Sequence, residues 1–100
     1  MDAQTLTALR GSIAKWEGIV AGRCSDEGTV NCPLCHVFYK KDCKGCPVKA
    51  VTGKPYCRDS PYSITEDVAM SYGTGSTKYT AAAVAELEFL KGLLPSDGEE

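Results

Sequence analysis

The sequence has no apolar run long enough to cross a membrane, and its only histidine is His36. A membrane-spanning helix needs about 20 consecutive apolar residues, so we expect no such helix and no membrane partner. The chain also lacks a Gly-rich phosphate loop and any acid–base pair at a fixed spacing. These absences predict a protein that is not an enzyme and has no small-molecule substrate.

The first residues lack the features of a secretory signal. A signal peptide begins with basic residues and continues into an apolar stretch, whereas residues 1–5 are acidic and polar. We therefore expect a cytoplasmic protein, and in that compartment paired cysteines bind metal more often than they form disulfides. A disulfide framework is the alternative, and the sequence could not then assign its pairing.

Cysteine, by contrast, is abundant, with six in 100 residues. Four of them form two C-x-x-C pairs, Cys32 with Cys35 and Cys43 with Cys46, on either side of a short loop. Zn²⁺ takes four ligands in a tetrahedron, and two such pairs can supply four thiolates. Because four thiolates leave no open position for water, the pattern predicts a structural zinc site rather than a catalytic one.

Other residues compete for places in this site. Cys57 lies beyond the second pair and is an alternative ligand that would replace one member of that pair. Cys24 is expected to be a buried thiol outside the site, and His36 a partly exposed helix residue rather than a ligand. An iron–sulfur cluster is the alternative cofactor, because Pro47 follows the second pair as proline follows the last cysteine of some cluster motifs.

Helical periodicity precedes the cysteine module, which we define as residues 32–57. Residues 3–21 carry apolar side chains at steps of three and four, which predicts an amphipathic helix with Asp2 as its N-cap. Gly11 and Gly18 lie off this stripe and indicate close approaches by another backbone. The stripe consists of Leu6, Leu9, Ile13, Trp16 and Val20.

Two more helices are predicted after the module. The segment Ser63-Ile64-Thr65-Glu66 has the spacing of a capping box and would open a short helix over residues 64–72. Residues 78–94 are rich in Ala, Leu and Glu and carry a second apolar stripe. The acidic residues 96–100 are expected to form a disordered tail, so residues 1–95 would make a single domain.

These features together predict a mainly α-helical, small, metal-stapled domain. Its N-terminal and C-terminal amphipathic helices would pack as a pair around a compact four-cysteine zinc knuckle, with the short helix as the third. A chain of 100 residues buries only a modest core. Bound zinc would therefore contribute a large share of the folding free energy.

Charge is unevenly distributed, although the net charge is only −2. Residues 32–60 carry six basic side chains against two acidic ones, whereas residues 61–100 carry two against seven. Basic residues interleaved with Phe38, Tyr39 and Tyr56 could bind nucleic acid, with the rings stacking on bases. The interpretation we favour is that the basic residues offset the charge of the zinc–thiolate site. They are Lys40, Lys41, Lys44, Lys49, Lys54 and Arg58.

A wider pattern combines CPLC (32–35), CKGCPV (43–48) and TGK (52–54) with Cys57 and the pair Pro61-Tyr62. With its flanking helical segments, this pattern resembles small uncharacterised cysteine-rich proteins encoded by bacteriophages and prophages. The resemblance implies a phage-borne metal-binding protein in the cytoplasm of a bacterial host. It also implies that Cys57 belongs to the pattern. The resemblance points to no catalytic residue.

Three functions are compatible with these observations. The first is a non-enzymatic interaction module, in which exposed parts of the two apolar stripes bind a protein, either a second copy in a homodimer or a host factor. The second is nucleic-acid binding through the basic segment 38–58. The third is inhibition of a bacterial defence system, which rests only on the resemblance to phage proteins.

Overall fold

The structure is a computed structural model, and it describes residues 1–54 and 57–95. Within these ranges the chain forms five α-helices and two short 3₁₀ helices, Gly28–Asn31 and Tyr39–Lys41, and no β-strand. The prediction of a mainly helical protein is confirmed. The α-helices are α1 (Ala3–Val20), α2 (Pro33–Phe38), α3 (Pro47–Thr52), α4 (Pro61–Tyr72) and α5 (Thr77–Lys91).

Helix α1 has the N-cap that the sequence predicts. Oδ1 of Asp2 accepts a hydrogen bond from the Thr5 N–H at 2.7 Å, which satisfies one of the unpaired amides at the helix start. The helix ends at Val20, and Gly22 follows with a φ of 79°, the left-handed conformation common after a helix. Its buried face contains Ala8, Leu9, Ile13 and Trp16.

Helix α4 begins earlier than the sequence predicts. Its N-cap is Ser60, whose Oγ accepts the Tyr62 N–H at 3.3 Å, and Pro61 occupies the first helical position, where its fixed φ is suitable. The capping box predicted at Ser63 is therefore wrong. Ser63 lies inside the helix, and its hydroxyl donates to the carbonyl oxygen of Cys57 at 3.2 Å.

Helix α5 ends earlier than the sequence predicts. Ser76 caps its start by accepting the Tyr79 N–H at 3.1 Å, and its last residue is Lys91. The predicted extension to residue 94 is wrong, because the chain turns at Gly92 and the Leu93 N–H bonds to the Leu90 carbonyl instead of continuing the helix. The predicted tail over residues 96–100 lies outside the described residues.

Helix α5 packs against both α1 and α4, and α2 packs against α1. The N-terminal and C-terminal helices are therefore paired, while α4 is a full third member of the bundle. Trp16 of α1 meets Tyr62 of α4 edge to face, with ring centroids 5.9 Å apart. The shared core also contains Leu34, Phe38, Val48, Tyr79, Ala83, Leu87 and Leu90.

The two apolar stripes are used mainly inside the chain. On α1, Leu9 and Trp16 are buried, and on α5 Ala83 and Leu90 are buried, whereas Val84 of α5 is 39% exposed. Little of either stripe is left for a partner. A protein partner would therefore have to bind to another surface.

Two glycines of α1 let neighbouring groups approach the helix. A Cβ atom at Gly11 would lie 3.0 Å from Cγ of Pro33, and one at Gly18 would lie 2.7 Å from Sγ of Cys24. The approaching groups are side chains, not the backbone that the sequence analysis expected. Gly11 therefore allows the start of α2 to pack closely on α1.

Candidate metal centre

Five of the six cysteines line one cavity of about 250 Å³. They are the two C-x-x-C pairs and Cys57, so the structure brings the four predicted zinc ligands and the predicted alternative to one place. All six cysteines are described, and they form no disulfide with one another. The sulfurs come from α2, from the turn before α3 and from the turn before α4.

The start of α2 organises the first pair. Cys32 is the N-cap, and its sulfur accepts the Cys35 N–H at 3.2 Å. Pro33 at the first helical position has no N–H that needs a partner. A hydrogen bond from the Cys35 side chain lowers the pKa of Cys32 to about 6. The same bond raises the pKa of Cys35. The two thiols therefore act as one hydrogen-bonded unit.

Ser12 of α1 supports this pair of thiols from inside the core, and only 3% of Ser12 is exposed. Its Oγ accepts the Leu34 N–H, the first N–H of α2, at 3.3 Å. A hydrogen bond from its hydroxyl also contributes to the lowered pKa of Cys32. One buried serine thus connects α1 to the backbone and to the first thiol of α2.

The second pair repeats the Cys-Pro start of a helix. Cys46 is the N-cap of α3 and Pro47 the first helical residue. The Cys46 N–H donates to the Cys43 carbonyl at 3.0 Å, which closes the turn between the two cysteines. Burial raises the pKa of Cys46, while the amides of Val48 and Lys49 act in the opposite direction. Amides at the start of a helix favour a thiolate, but at Cys46 the effect of burial is larger.

Cys43 and Cys57 have left-handed backbone conformations, with φ values of 63° and 62°. Residues with a Cβ atom rarely adopt this conformation, which costs on the order of 1–3 kcal/mol. Such strain persists where other interactions impose it, and it is frequent at ligand sites. Among the described non-glycine residues Asp42 and Asp59 also adopt it, but only Cys43 and Cys57 line the cavity.

The first turn of α4 holds Cys57 in place. The carbonyl oxygen of Cys57 accepts hydroxyl hydrogen bonds from Ser60 at 2.6 Å and Ser63 at 3.2 Å. Burial, followed by the negative charge of Glu86, raises the pKa of the Cys57 thiol to about 12. The residue that the sequence analysis kept as an alternative ligand is therefore a fixed part of the cavity wall.

The five thiols line one cavity, but their sulfur atoms are not gathered around one metal position. Among the described residues, no three His, Cys, Asp or Glu side chains are arranged to hold one metal ion. The donor chemistry nevertheless fits zinc, since thiolate sulfur is its commonest ligand in structural sites and five sulfurs face one space. Hydrogen bonds to Cys32 supply the outer support that such ligands normally have.

Basic residues of the module are divided between this cavity and the surface. Lys49 and Lys54 line the cavity, where they can offset thiolate charge. Of the aromatic residues expected to stack on bases, Phe38 is only 7% exposed and belongs to the core, so that prediction is wrong. Tyr39 is 49% exposed, and Tyr56 lies outside the described residues. Lys40, Lys41, Lys44 and Arg58 are exposed.

Cys24 and His36 stand apart from the cavity. The prediction that Cys24 is buried is wrong, because it lies exposed in the segment after α1, where its thiol donates to the Lys15 carbonyl at 3.4 Å. His36 is exposed on α2, and its Nε2 lies 3.0 Å from the Val30 carbonyl oxygen.

Sequence analysis missed Glu86 of α5. Its side chain is 3% exposed and lines the thiol cavity. Burial raises its pKa to about 8, and the charge of Cys32 adds to this shift. The available signal was its register, since Glu86 lies between Ala83 and Leu87 on the face of α5 that the apolar stripe predicts to be buried.

Comparisons with protein-family models, with curated proteins and with solved structures found no match to this chain. A search of the helices in the described residues found none long and apolar enough to cross a membrane.

Proposed function

We propose that this protein is a non-enzymatic zinc-binding protein in which the metal ion joins the cysteine module to the helical core. The ligands would be Cys32, Cys35, Cys43 and Cys46, with Cys57 as the alternative for one member of the second pair. The observation that carries this proposal is that all five thiols line one cavity. The phage origin and cytoplasmic location implied by the resemblance stay predictions.

The module needs a source of stability beyond its own helices. Helices α2 and α3 have six residues each, well below the roughly 12 that an isolated helix needs to be even marginally stable. The left-handed conformations of Cys43 and Cys57 add a further cost. Structural zinc contributes on the order of 10–16 kcal/mol of apparent binding free energy, which is enough to offset both.

Zinc binding would also contract the cavity. Four thiolates around one zinc ion each lie about 2.3 Å from it, so the sulfurs have to move together from their separate positions on the cavity wall. The two C-x-x-C turns and the turn before α4 are the segments that would move. Helices α1, α4 and α5 would keep the arrangement described above.

Metal analysis of cysteine variants tests the proposal. The full chain, purified under reducing conditions, is expected to contain tightly bound zinc by elemental and native mass spectrometry. Zinc binding should be lost or greatly weakened in each of the variants Cys32→Ser, Cys35→Ser, Cys43→Ser and Cys46→Ser. Cys24→Ser is the matched control and should retain zinc. A wild-type chain that holds no zinc after zinc loading would refute the proposal. Iron with visible colour would identify the cluster alternative instead.

A second part of the proposal is that the domain binds another protein, either a second copy or a host factor. The support lies on α4, where Ile64, Met70 and Tyr72 are 55%, 89% and 56% exposed. Sedimentation at increasing protein concentration tests self-association. A monomer at the highest concentration reached would exclude the homodimer.

Nucleic-acid binding is a second candidate function, and one specific observation favours it. Lys40, Lys41 and Lys44 are all exposed in the segment that follows the partly exposed Tyr39. A gel-shift assay at low salt with single- and double-stranded DNA and RNA tests this candidate, because phosphate contacts are strongest there. Replacing the three lysines with glutamate should abolish any shift, and no shift with the wild type would exclude the candidate.

A further inference from the structure

Glu86 is a buried acidic residue on the wall of the thiol cavity. The side chain is 3% exposed, and among the described residues its Oε1 atom has no hydrogen-bond partner. A buried polar group without a partner costs free energy, and an unpaired carboxylate costs more. Because Glu86 lines the thiol cavity, its unpartnered oxygen is placed to interact with something bound there.

The basic residues on the cavity wall do not meet this need. Nζ of Lys15 is 2.8 Å from Oδ1 of Asp26, so this lysine already has its carboxylate. Nζ of Lys49 donates to the Asp42 carbonyl at 3.3 Å, and Lys54 is exposed. A cation inside the cavity would supply the missing partner.

The cavity also offers more donors than one zinc ion uses. One tetrahedral ion takes four donors, whereas this wall presents five thiols and one carboxylate. The donor in excess among the thiols is Cys57.

We propose that the cavity holds a second divalent cation, bound by the Glu86 carboxylate and the Cys57 thiolate. This inference rests on the proposed zinc function and extends it to a two-metal centre of mixed sulfur and oxygen ligands. Zinc suits both positions, since it accepts carboxylate oxygen as well as thiolate sulfur. The second ion would connect α5 directly to the cysteine module.

Zinc stoichiometry of the full chain tests this inference. The reduced wild-type protein, loaded with Zn²⁺ and freed of excess metal, is expected to carry two zinc ions per chain by native mass spectrometry. Glu86→Gln keeps the side-chain size and removes the charge, so this variant should carry one. Glu88→Gln is the matched control, because Glu88 lies on the same helix and is exposed, and it should carry two.

Affinity gives a second readout. In chelator-buffered zinc titrations the second zinc ion should bind to Glu86→Gln at least about tenfold more weakly than to the wild type, as is typical when a ligand or its support is removed. Retention of the first ion and of the helical circular-dichroism spectrum would show that this variant folds.

The failures of the two proposals are distinguishable. One zinc ion in the wild type, or two retained by Glu86→Gln, would overturn the two-metal centre and leave the single zinc site standing. No zinc in the wild type would overturn both.

Discussion

Lys15 and Asp26 form an ion pair of 2.8 Å in which only 7% and 16% of the respective side-chain surfaces are exposed. Oδ1 of Asp26 also accepts the Gly28 N–H at 3.0 Å. The pair therefore ties the connector between α1 and α2 to α1. Lys15 and Gly28 both line the thiol cavity, so this contact helps to shape its wall.

Asp26→Asn is expected to destabilise the protein. The substitution leaves the Lys15 ammonium largely buried without its carboxylate, and we expect a loss of about 2–3 kcal/mol in the free energy of unfolding, between the values for exposed and for fully buried pairs. Urea unfolding at pH 7 measures it. Glu27→Gln is the control, because Glu27 is an exposed neighbour and should change stability by no more than about 0.5 kcal/mol. Equal effects of the two substitutions would contradict the assigned role of the pair.

The same pair predicts a pH dependence. Burial raises the pKa of Asp26, but hydrogen bonds from Lys15 and Gly28 lower it by more, so the net pKa lies below 3.8. A carboxyl with a depressed folded-state pKa stabilises the fold above its unfolded pKa, and this stabilisation is lost as the pH falls through the folded value. The difference in unfolding free energy between the wild type and Asp26→Asn should therefore shrink below about pH 4. Parallel stability curves down to lower pH would contradict this prediction.

Ser12→Ala should weaken both folding and zinc binding. It removes the acceptor of the buried Leu34 N–H and the hydroxyl next to the Cys32 sulfur, so we expect a stability loss of about 1–2 kcal/mol. Zinc affinity should fall about tenfold or more, as it does when the outer support of a ligand is lost. Urea unfolding and chelator competition measure the two effects. Ser71→Ala, at an exposed position of α4, is the control and should change neither.

Alanine at the two glycines of α1 should have opposite outcomes. Gly11→Ala would place a Cβ atom 3.0 Å from the rigid ring of Pro33, so we expect a loss of about 1–3 kcal/mol from overpacking, against a propensity gain of about 1 kcal/mol. At Gly18 the obstacle is the Cys24 sulfur, which can rotate away, so Gly18→Ala should be neutral or stabilising. Thermal unfolding compares the two variants. A stabilised Gly11→Ala would contradict the close contact between α1 and α2.

Trp16 should report metal binding. It is the only tryptophan, it is 3% exposed, and it lines the thiol cavity. Because Co²⁺ occupies zinc sites and quenches nearby indole rings, adding Co²⁺ should remove most of the Trp16 fluorescence at low stoichiometry. Zn²⁺ should then restore it by displacement. Cys46→Ser should need a much higher Co²⁺ concentration, and quenching unchanged by that substitution would show that the ion binds elsewhere.

Local patterns predicted most of the helices because caps and apolar periodicity are encoded within a few residues. Asp2 caps α1 as expected, and the predicted helix over residues 3–21 is observed as Ala3–Val20. The boundary errors also have local causes. Pro61 starts α4 ahead of the predicted capping box, and α5 ends at Gly92, before Leu93 and Leu94.

By itself the sequence determined that the chain is helical and that its distinctive chemistry is thiol chemistry in two C-x-x-C turns. Only the tertiary structure decided which groups meet. It placed Cys57 on the cavity wall, left Cys24 exposed, and buried Glu86 beside the thiols. The physical reason is that caps and periodicity act over a few residues, whereas the neighbours of Glu86 are set by how α5 packs on α1 and α4.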